Sequence, residues 1–272
     1  MPTTRILHDL SLFGRSLLDF VFPRYCVCCG SRLALLEETL CTRCLEGLPR
    51  VRFFSWEDND IARLFWGLVD VQRAASFFHY TRHSPYSRIL FALKYHNRPE
   101  VGKAMGRMMG EALKRGGFFE GVDLIVPVPL SRKKERQRGY NQSAWIARGI
   151  AEATGLPVDT QSVVRTVSNP SQTSLDEHQR QENVRNIFGV AHPERLEGRH
   201  ILLVDDVITT GATMKSCAET IAHARSGGCE LITFGSHASD TVFCERVEKR
   251  ADGLYFTVRS PKYNGEFSIT MP

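Results

Sequence analysis

No window of this 272-residue sequence approaches ~18 uninterrupted apolar residues, so no transmembrane helix is expected. The apolar stretch near the start is broken by Arg5, Asp9, Arg15 and Asp19, which argues against a secretory signal. Internal repeats and low-complexity tracts are missing. Hydrophobic residues make up 42% and charged residues 24%, a composition that excludes wholesale disorder. No Ser-His-Asp arrangement is evident. His79, His83, His96, His178 and His192 lack the spacing of a zinc protease or deaminase and read as surface or core residues. The excess of positive over negative charge is small as well. The net charge is +5, and residues 132–138 alone carry +4 of it. That concentration argues against a diffuse nucleic-acid-binding surface and favours a local anion site. The chain is expected to be cytoplasmic, with its eight cysteines reduced, so metal or catalytic roles come before disulfides.

What the sequence does have is uneven. Five of the eight cysteines fall within residues 26–44. Cys26-x2-Cys29 and Cys41-x2-Cys44, separated by eleven residues, have the pattern of two turns closing a tetrahedral thiolate site. Soft thiolates suit Zn²⁺, and four of them close the shell, which makes the expected zinc structural. Cys28 is an extra thiol able to replace Cys26 or Cys29. Cys217, Cys229 and Cys244 read as packing residues.

Along the chain, Leu7, Leu10, Phe13, Leu17 and Leu18 recur at helical spacing until Pro23. Residues 69–80 read as extended. Helices are expected at 87–95 and 100–114, a strand at 122–129, a basic loop at 131–138, and a helix from 141 to 154 ended by Gly155. Residues 161–186 are polar and read as a long functional connection. A buried parallel-type strand at 201–204, a helix at 211–225 and a strand at 231–234 follow. The alternation points to an α/β fold with a parallel sheet flanked by helices. In the last 30 or so residues, Asn264-Gly265 between two alternating runs predicts a hairpin. The aromatics Phe53, Phe54, Trp56, Phe65 and Trp66 are assigned to core packing or to an interface between the cysteine module and the main domain, with base stacking as the alternative.

The most informative stretch is Asp205-Asp206-Val207-Ile208-Thr209-Thr210-Gly211-Ala212-Thr213. A capped helix after a strand explains one Asp and one Thr. It does not explain two acids, three threonines and a glycine in nine residues. Unpaired N–H groups at a helix start, with hydroxyls and a permissive Gly211, cradle an anion. Two acids just before such a cradle suit the diol of a phosphorylated sugar.

This stretch resembles the phosphoribosyl pyrophosphate (PRPP) signature of type I phosphoribosyltransferases. Together with the N-terminal cysteines it resembles the ComF family, competence-associated phosphoribosyltransferase-like proteins also described as GntX-like. Val126-Pro127-Val128-Pro129-Leu130 and Arg138-Gly139-Tyr140-Asn141-Gln142-Ser143 resemble that family's first strand and pyrophosphate loop. Ala92-Leu93-Lys94-Tyr95 resembles its lysine motif. Gln172-Thr173, Arg180, Asn183-Val184-Arg185 and Phe188 resemble its flexible loop. The resemblance spans roughly residues 15–238 and leaves out the tail after Asp240.

The resemblance implies that Asp205 and Asp206 hold the ribose hydroxyls as the catalytic pair, with Thr209, Thr210, Gly211, Ala212 and Thr213 on the 5′-phosphate. Lys94, Arg138, Asn141 and Gln142 become candidates for pyrophosphate. Lys94 also reads as helix-terminal charge, and Arg138, Asn141 and Gln142 as ordinary helix-start residues. Mg²⁺ would accompany PRPP. The implied organisation is a helix plus zinc module over 1–50, a phosphoribosyltransferase-like domain over 51–240 with its core at about 69–240, and a C-terminal extension over 241–272. The implied role is in competence and DNA uptake, either as a transferase or as a non-catalytic nucleotide sensor or single-stranded-DNA adaptor acting with competence proteins.

Overall fold

The computed structural model describes residues 19–52, 55–166, 187–224, 229–236, 243–250, 253–260 and 263–269, with those from 229 onward as backbone. The helical segment expected before Leu18 and the loop residues Gln172, Thr173, Arg180, Asn183, Val184 and Arg185 lie outside the described residues. In chain order the elements are α1 (Thr42–Glu46), α2 (Asp60–Arg63), β1 (Ala74–His79), α3 (Ser87–Tyr95), α4 (Pro99–Lys114), β2 (Leu124–Pro127), α5 (Arg132–Arg138), α6 (Gln142–Thr154), β3 (Val163–Arg165), β4 (Phe188–Val190), β5 (Ile201–Ile208), α7 (Ala212–Ala224), β6 (Cys229–Ser236), β7 (Phe243–Arg250), β8 (Gly253–Ser260) and β9 (Tyr263–Ile269).

Four strands form one parallel sheet in the order β1-β6-β5-β2. Its centre is β5, where Ile201, Leu202, Leu203 and Val204 are wholly buried. An unbroken apolar run is what a strand covered on both faces requires. The strand does not stop at Val204, as expected, but carries Asp205 and Asp206 inside it. Pairing with β6 continues to Ile208 opposite Ser236 and holds the acids in extended geometry.

On one side of the sheet α4 and α6 cross with their backbones in contact. A Cβ at Gly106 would run into the Ile146 carbonyl, and one at Gly149 into the Lys103 carbonyl. Glycine is needed at both positions because nothing larger leaves room for the opposite backbone. The cysteine segment shares its core with this layer: Cys28, Leu40 and Cys44 belong to the same buried cluster as Ile89, Leu93 and Met105. Arg88 donates to the Cys28 carbonyl at 2.8 Å, and Arg107 pairs with Glu38 at 2.6 Å.

The basic segment expected as a loop is the helix α5. Ser131 caps it by accepting from the Lys134 N–H, and Gly139 ends it at φ 81°. Its side chains are not buried. With no apolar face, it gives no periodic signal, and only its caps could have revealed it. The start of the polar stretch 161–186 is also structured, since β3 pairs antiparallel with β4. In the tail, β7, β8 and β9 form an antiparallel meander. Asn264 and Gly265 lie within β9, opposite Arg259 and Val258, and not at the turn as expected. Cross-strand pairing overrides the local Asn-Gly preference there. Phe65 is buried as anticipated, but Trp66 is 55% exposed. Among the described residues no helix is long and apolar enough to cross a membrane.

Candidate functional site

Adjacent residues of a strand face opposite ways, and the two acids of β5 use both directions. Asp205 meets α6, where the Ser143 hydroxyl donates to its Oδ1 at 3.0 Å. Asp206 meets α3, where Lys94 Nζ lies 3.0 Å from its Oδ2. The Asp206 N–H also donates to Asp205 Oδ1 at 2.8 Å. Burial pushes the Asp205 carboxyl up to about 7, and the neighbouring Asp206 charge adds to the rise. Hydrogen bonds from the Asp206 N–H and Ser143, and the Lys94 charge, oppose it.

The strand then turns into α7. Thr209 and Thr210 are exposed, while Gly211 is buried at φ 76°. A Cβ at Gly211 would come within 3.2 Å of the Phe65 ring, so the turn is pressed against the segment that follows α2. Asp205 and residues 207–214 line a small cavity of about 30 Å³. The sheet edge and the first turn of α7 therefore bring Asp205 together with Thr209, Thr210, Gly211, Ala212 and Thr213.

The candidate pyrophosphate residues are engaged within the protein. Lys94 is committed to Asp206. Arg138 donates to Gln142 Oε1 at 2.8 Å, and its guanidinium lies 5.8 Å from the Tyr95 ring. Asn141 caps α6 by accepting from the Ser143 N–H, and donates to the Val128 carbonyl at 3.0 Å. Gln142 is buried, and its Nε2 has no partner among the described residues.

Two residues enter the site that sequence reasoning did not single out. Ser143 sits in the Asn-Gln-Ser run, and its place two residues past the cap Asn141 could have marked it. Arg165, at the end of β3, is partly buried and feels the Asp205 charge. Its guanidinium lies 5.5 Å from the Phe188 ring, and its Nε has no partner among the described residues. It lines a cavity of about 1100 Å³ with Leu130, Arg132, Asn141, Trp145 and Arg148. Nothing in the sequence around Arg165 distinguishes it from any strand-end arginine.

The four-cysteine pattern is assembled. One Sγ each from Cys26, Cys29, Cys41 and Cys44 lies within 4.8 Å of the others. Among the described residues this is the one group of three or more His, Cys, Asp or Glu side chains so placed. The Cys41 N–H donates to Cys26 Sγ at 3.3 Å, the kind of contact that steadies a thiolate ligand. Hydrogen bonds from Ser31 hold the Cys29 thiol down to about 6, on the way to the thiolate a metal needs. Cys28 is outside the group. It is wholly buried, and burial pushes its thiol up to about 12. Four soft donors within bonding reach of one centre fit zinc. Cys217 is buried, as a packing residue should be.

No family model matches the chain. Among curated proteins it is 29% identical over 194 residues to DNA utilization protein YhgH of Escherichia coli K12, covering 70% of this chain and 81% of that one. It is 28% identical over 204 residues to competence protein F of Haemophilus influenzae, covering 74% and 79%. Competence protein ComFC of Bacillus subtilis is 31% identical over 200 residues, covering 73% and 78%. A solved structure of the allosteric regulatory enzyme of purine biosynthesis is similar at 22% identity and a TM-score of 0.38, over 53% of this chain and 29% of that one. Identity of 31% sustained over that share of ComFC shows that the chain belongs to the ComF family of competence proteins.

Proposed function

We propose that this protein binds PRPP, or a closely related ribose 5-phosphate ligand, at the β5–α7 turn and transfers the phosphoribosyl group to an acceptor. The observation that carries this reading is the shared cavity: Asp205 and the Thr-Gly turn that opens α7 line one pocket at the C-terminal edge of a parallel sheet. Ligands of open α/β sheets bind at that edge. Thr209, Thr210 and Thr213 offer hydroxyls, and the N–H groups that open α7, of which that of Ala212 reaches Thr210 Oγ1 at 3.5 Å, offer donors to the 5′-phosphate. Asp205 and Asp206 accept hydrogen bonds from the ribose 2′ and 3′ hydroxyls.

In the transfer, the bond from C1 to the pyrophosphate oxygen breaks and its electron pair leaves with pyrophosphate. Positive charge develops on the sugar, and the two carboxylates lie where they can stabilise it. The acceptor nitrogen bonds to C1, and its proton is released to pyrophosphate or water. Lys94 shares Asp206 with the diol and keeps the pair from carrying two uncompensated charges. Two carboxylates, one already ion-paired, are too few for a protein cage around Mg²⁺, so the ion would be held mainly by ligand oxygens, with Asp205 and Asp206 as the protein contribution. When bound, Mg²⁺ would neutralise the leaving pyrophosphate. Cys26, Cys29, Cys41 and Cys44 would hold a structural Zn²⁺.

The names of the relatives support a role in competence and DNA utilisation. The exposed basic surface of α5 favours a second reading, a non-catalytic adaptor that contacts the phosphates of single-stranded DNA. Calorimetric titration with PRPP and Mg²⁺ tests the shared claim. Wild type should bind, and the double variant Asp205→Asn/Asp206→Asn should not; equal responses would end the site assignment. Release of pyrophosphate in the presence of acceptors separates the transferase from the adaptor.

A further inference from the structure

The four sulfur ligands of the cysteine group do not meet solvent alike. Cys26, Cys41 and Cys44 are buried, whereas Cys29 is exposed. The chain explains the difference. Cys26, Cys41 and Cys44 belong to the core that the segment shares with α3. Cys29 stands instead in the turn that the Gly30 N–H closes on the Cys26 carbonyl at 2.9 Å. Gly30 is itself exposed at φ 75°, and among the described residues nothing lies within 4 Å of a Cβ built there. A small reagent from solvent therefore reaches the Cys29 sulfur before the other three. Thiol oxidation follows access of this kind.

A second sulfur is within reach of the first. Cys29 Sγ lies 3.6 Å from Cys41 Sγ, across the gap between the two Cys-x2-Cys turns. Cys28, next to Cys29 in sequence, is wholly buried and outside the group. The group is also connected inward. Its buried members pack in one cluster with Ile89, Leu90 and Leu93 of α3, and the next residue, Lys94, pairs with Asp206.

We infer that Cys29 is an oxidation site and that the cysteine group is a peroxide-sensitive latch: hydrogen peroxide joins Cys29 to Cys41, zinc is expelled, and the seat of α3 loosens. The inference rests on the zinc reading of this group and is independent of what the carboxylate pair binds. The Cys29 thiolate sulfur attacks one peroxide oxygen, the O–O bond breaks, and hydroxide leaves, giving a sulfenic acid. The Cys41 thiolate attacks the Cys29 sulfur, the S–O bond breaks, and a second hydroxide leaves as the disulfide forms. Two thiolates lose two electrons and one peroxide gains them. Cys26 and Cys44 then remain as thiolate ligands, too few to close a structural zinc shell.

The test uses the full chain with its metal. Elemental analysis comes first and should find stoichiometric zinc; a chain without zinc sinks the zinc reading, and the latch with it, before any oxidant is added. Hydrogen peroxide should then release the zinc to a chromogenic chelator. Peptide mapping by mass spectrometry should find Cys29 linked to Cys41, with Cys28 still a thiol. The melting temperature should fall on release and return after reduction and reloading with zinc. Cys29→His keeps a zinc-binding side chain without the thiol and should release zinc about 10-fold more slowly than wild type. Cys28→Ser should release it at the wild-type rate. Zinc retained by peroxide-treated wild type overturns the latch, as does a disulfide that omits Cys29 or joins it to Cys26 or Cys44. Release from Cys29→His as fast as from wild type overturns it too, and a slowed Cys28→Ser would assign the reaction to Cys28 instead. Release with an unchanged melt would sever the latch from α3. If Cys29→His fails to hold zinc, the wild-type disulfide map decides alone.

Discussion

Asp205 carries the most consequential charge in the molecule. In the folded chain its carboxyl titrates near 7, whereas an unfolded aspartate titrates near 4. Between those two values the folded state holds the extra proton, so stability from this group falls as pH rises from about 4 to about 7. Asp205→Asn removes the penalty while keeping an oxygen for Ser143 and the Asp206 N–H. Urea melts should show the variant gaining on wild type between pH 4 and pH 8, by up to about 4 kcal/mol. An identical difference at both pH values would mean that Asp205 titrates normally. Ligand binding has the opposite sign: the diol needs an ionised acceptor, so ribose 5-phosphate affinity of wild type should rise through pH 7 in calorimetry. Both acids were legible in the sequence because their chemistry is concentrated in nine residues. Their partners were less so. Lys94 was singled out for pyrophosphate and meets the carboxylate of Asp206, because which negative group a lysine faces is decided by how α3 docks. Ser143 is distant in sequence from Asp205, and the α6–β5 packing alone brings them together.

At the level of elements, α5 shows how far local capping can go. The helix has no buried residue, so Ser131 and Gly139 are the contacts that define its ends. Ser131→Ala should cost about 1 kcal/mol of stability, measurable by thermal denaturation, with loss of the N-terminal cap. The parallel strands and the long helices were readable from hydrophobic period and stop signals. The end of β5 was not, because it is set by pairing with β6 across the sheet. The tail was read in the right class and the wrong register. Asn-Gly is a local turn preference, and the three-strand pairing of β7, β8 and β9 places it inside β9. For α4 and α6 the test is steric. Gly106→Ala would thrust a methyl group into the Ile146 carbonyl, and a loss of about 1–3 kcal/mol is expected in chemical denaturation. A smaller loss would show that the two helices can separate without cost.

Across the whole molecule, the cysteine centre is a part of the core. Cys26, Cys41 and Cys44 are buried with residues of α3 and α4, so removing a bound metal should loosen the layer that carries Lys94. Chelation, or Cys41→Ser, should remove stoichiometric zinc in elemental analysis and lower the melting temperature of the entire chain. A variant that keeps its metal, or loses it with an unchanged melt, would detach the centre from the fold. The crossing of α4 and α6 gives this arrangement a mechanical meaning. One helix follows directly from the segment that grips Asp206, and the other carries, as its second residue, the Ser143 that grips Asp205. Because glycines let the two backbones touch, with Ile146 one turn from Ser143, the helix pair fixes how the two grips stand to each other. The opening between the two carboxylate grips is therefore gauged in part by two missing side chains.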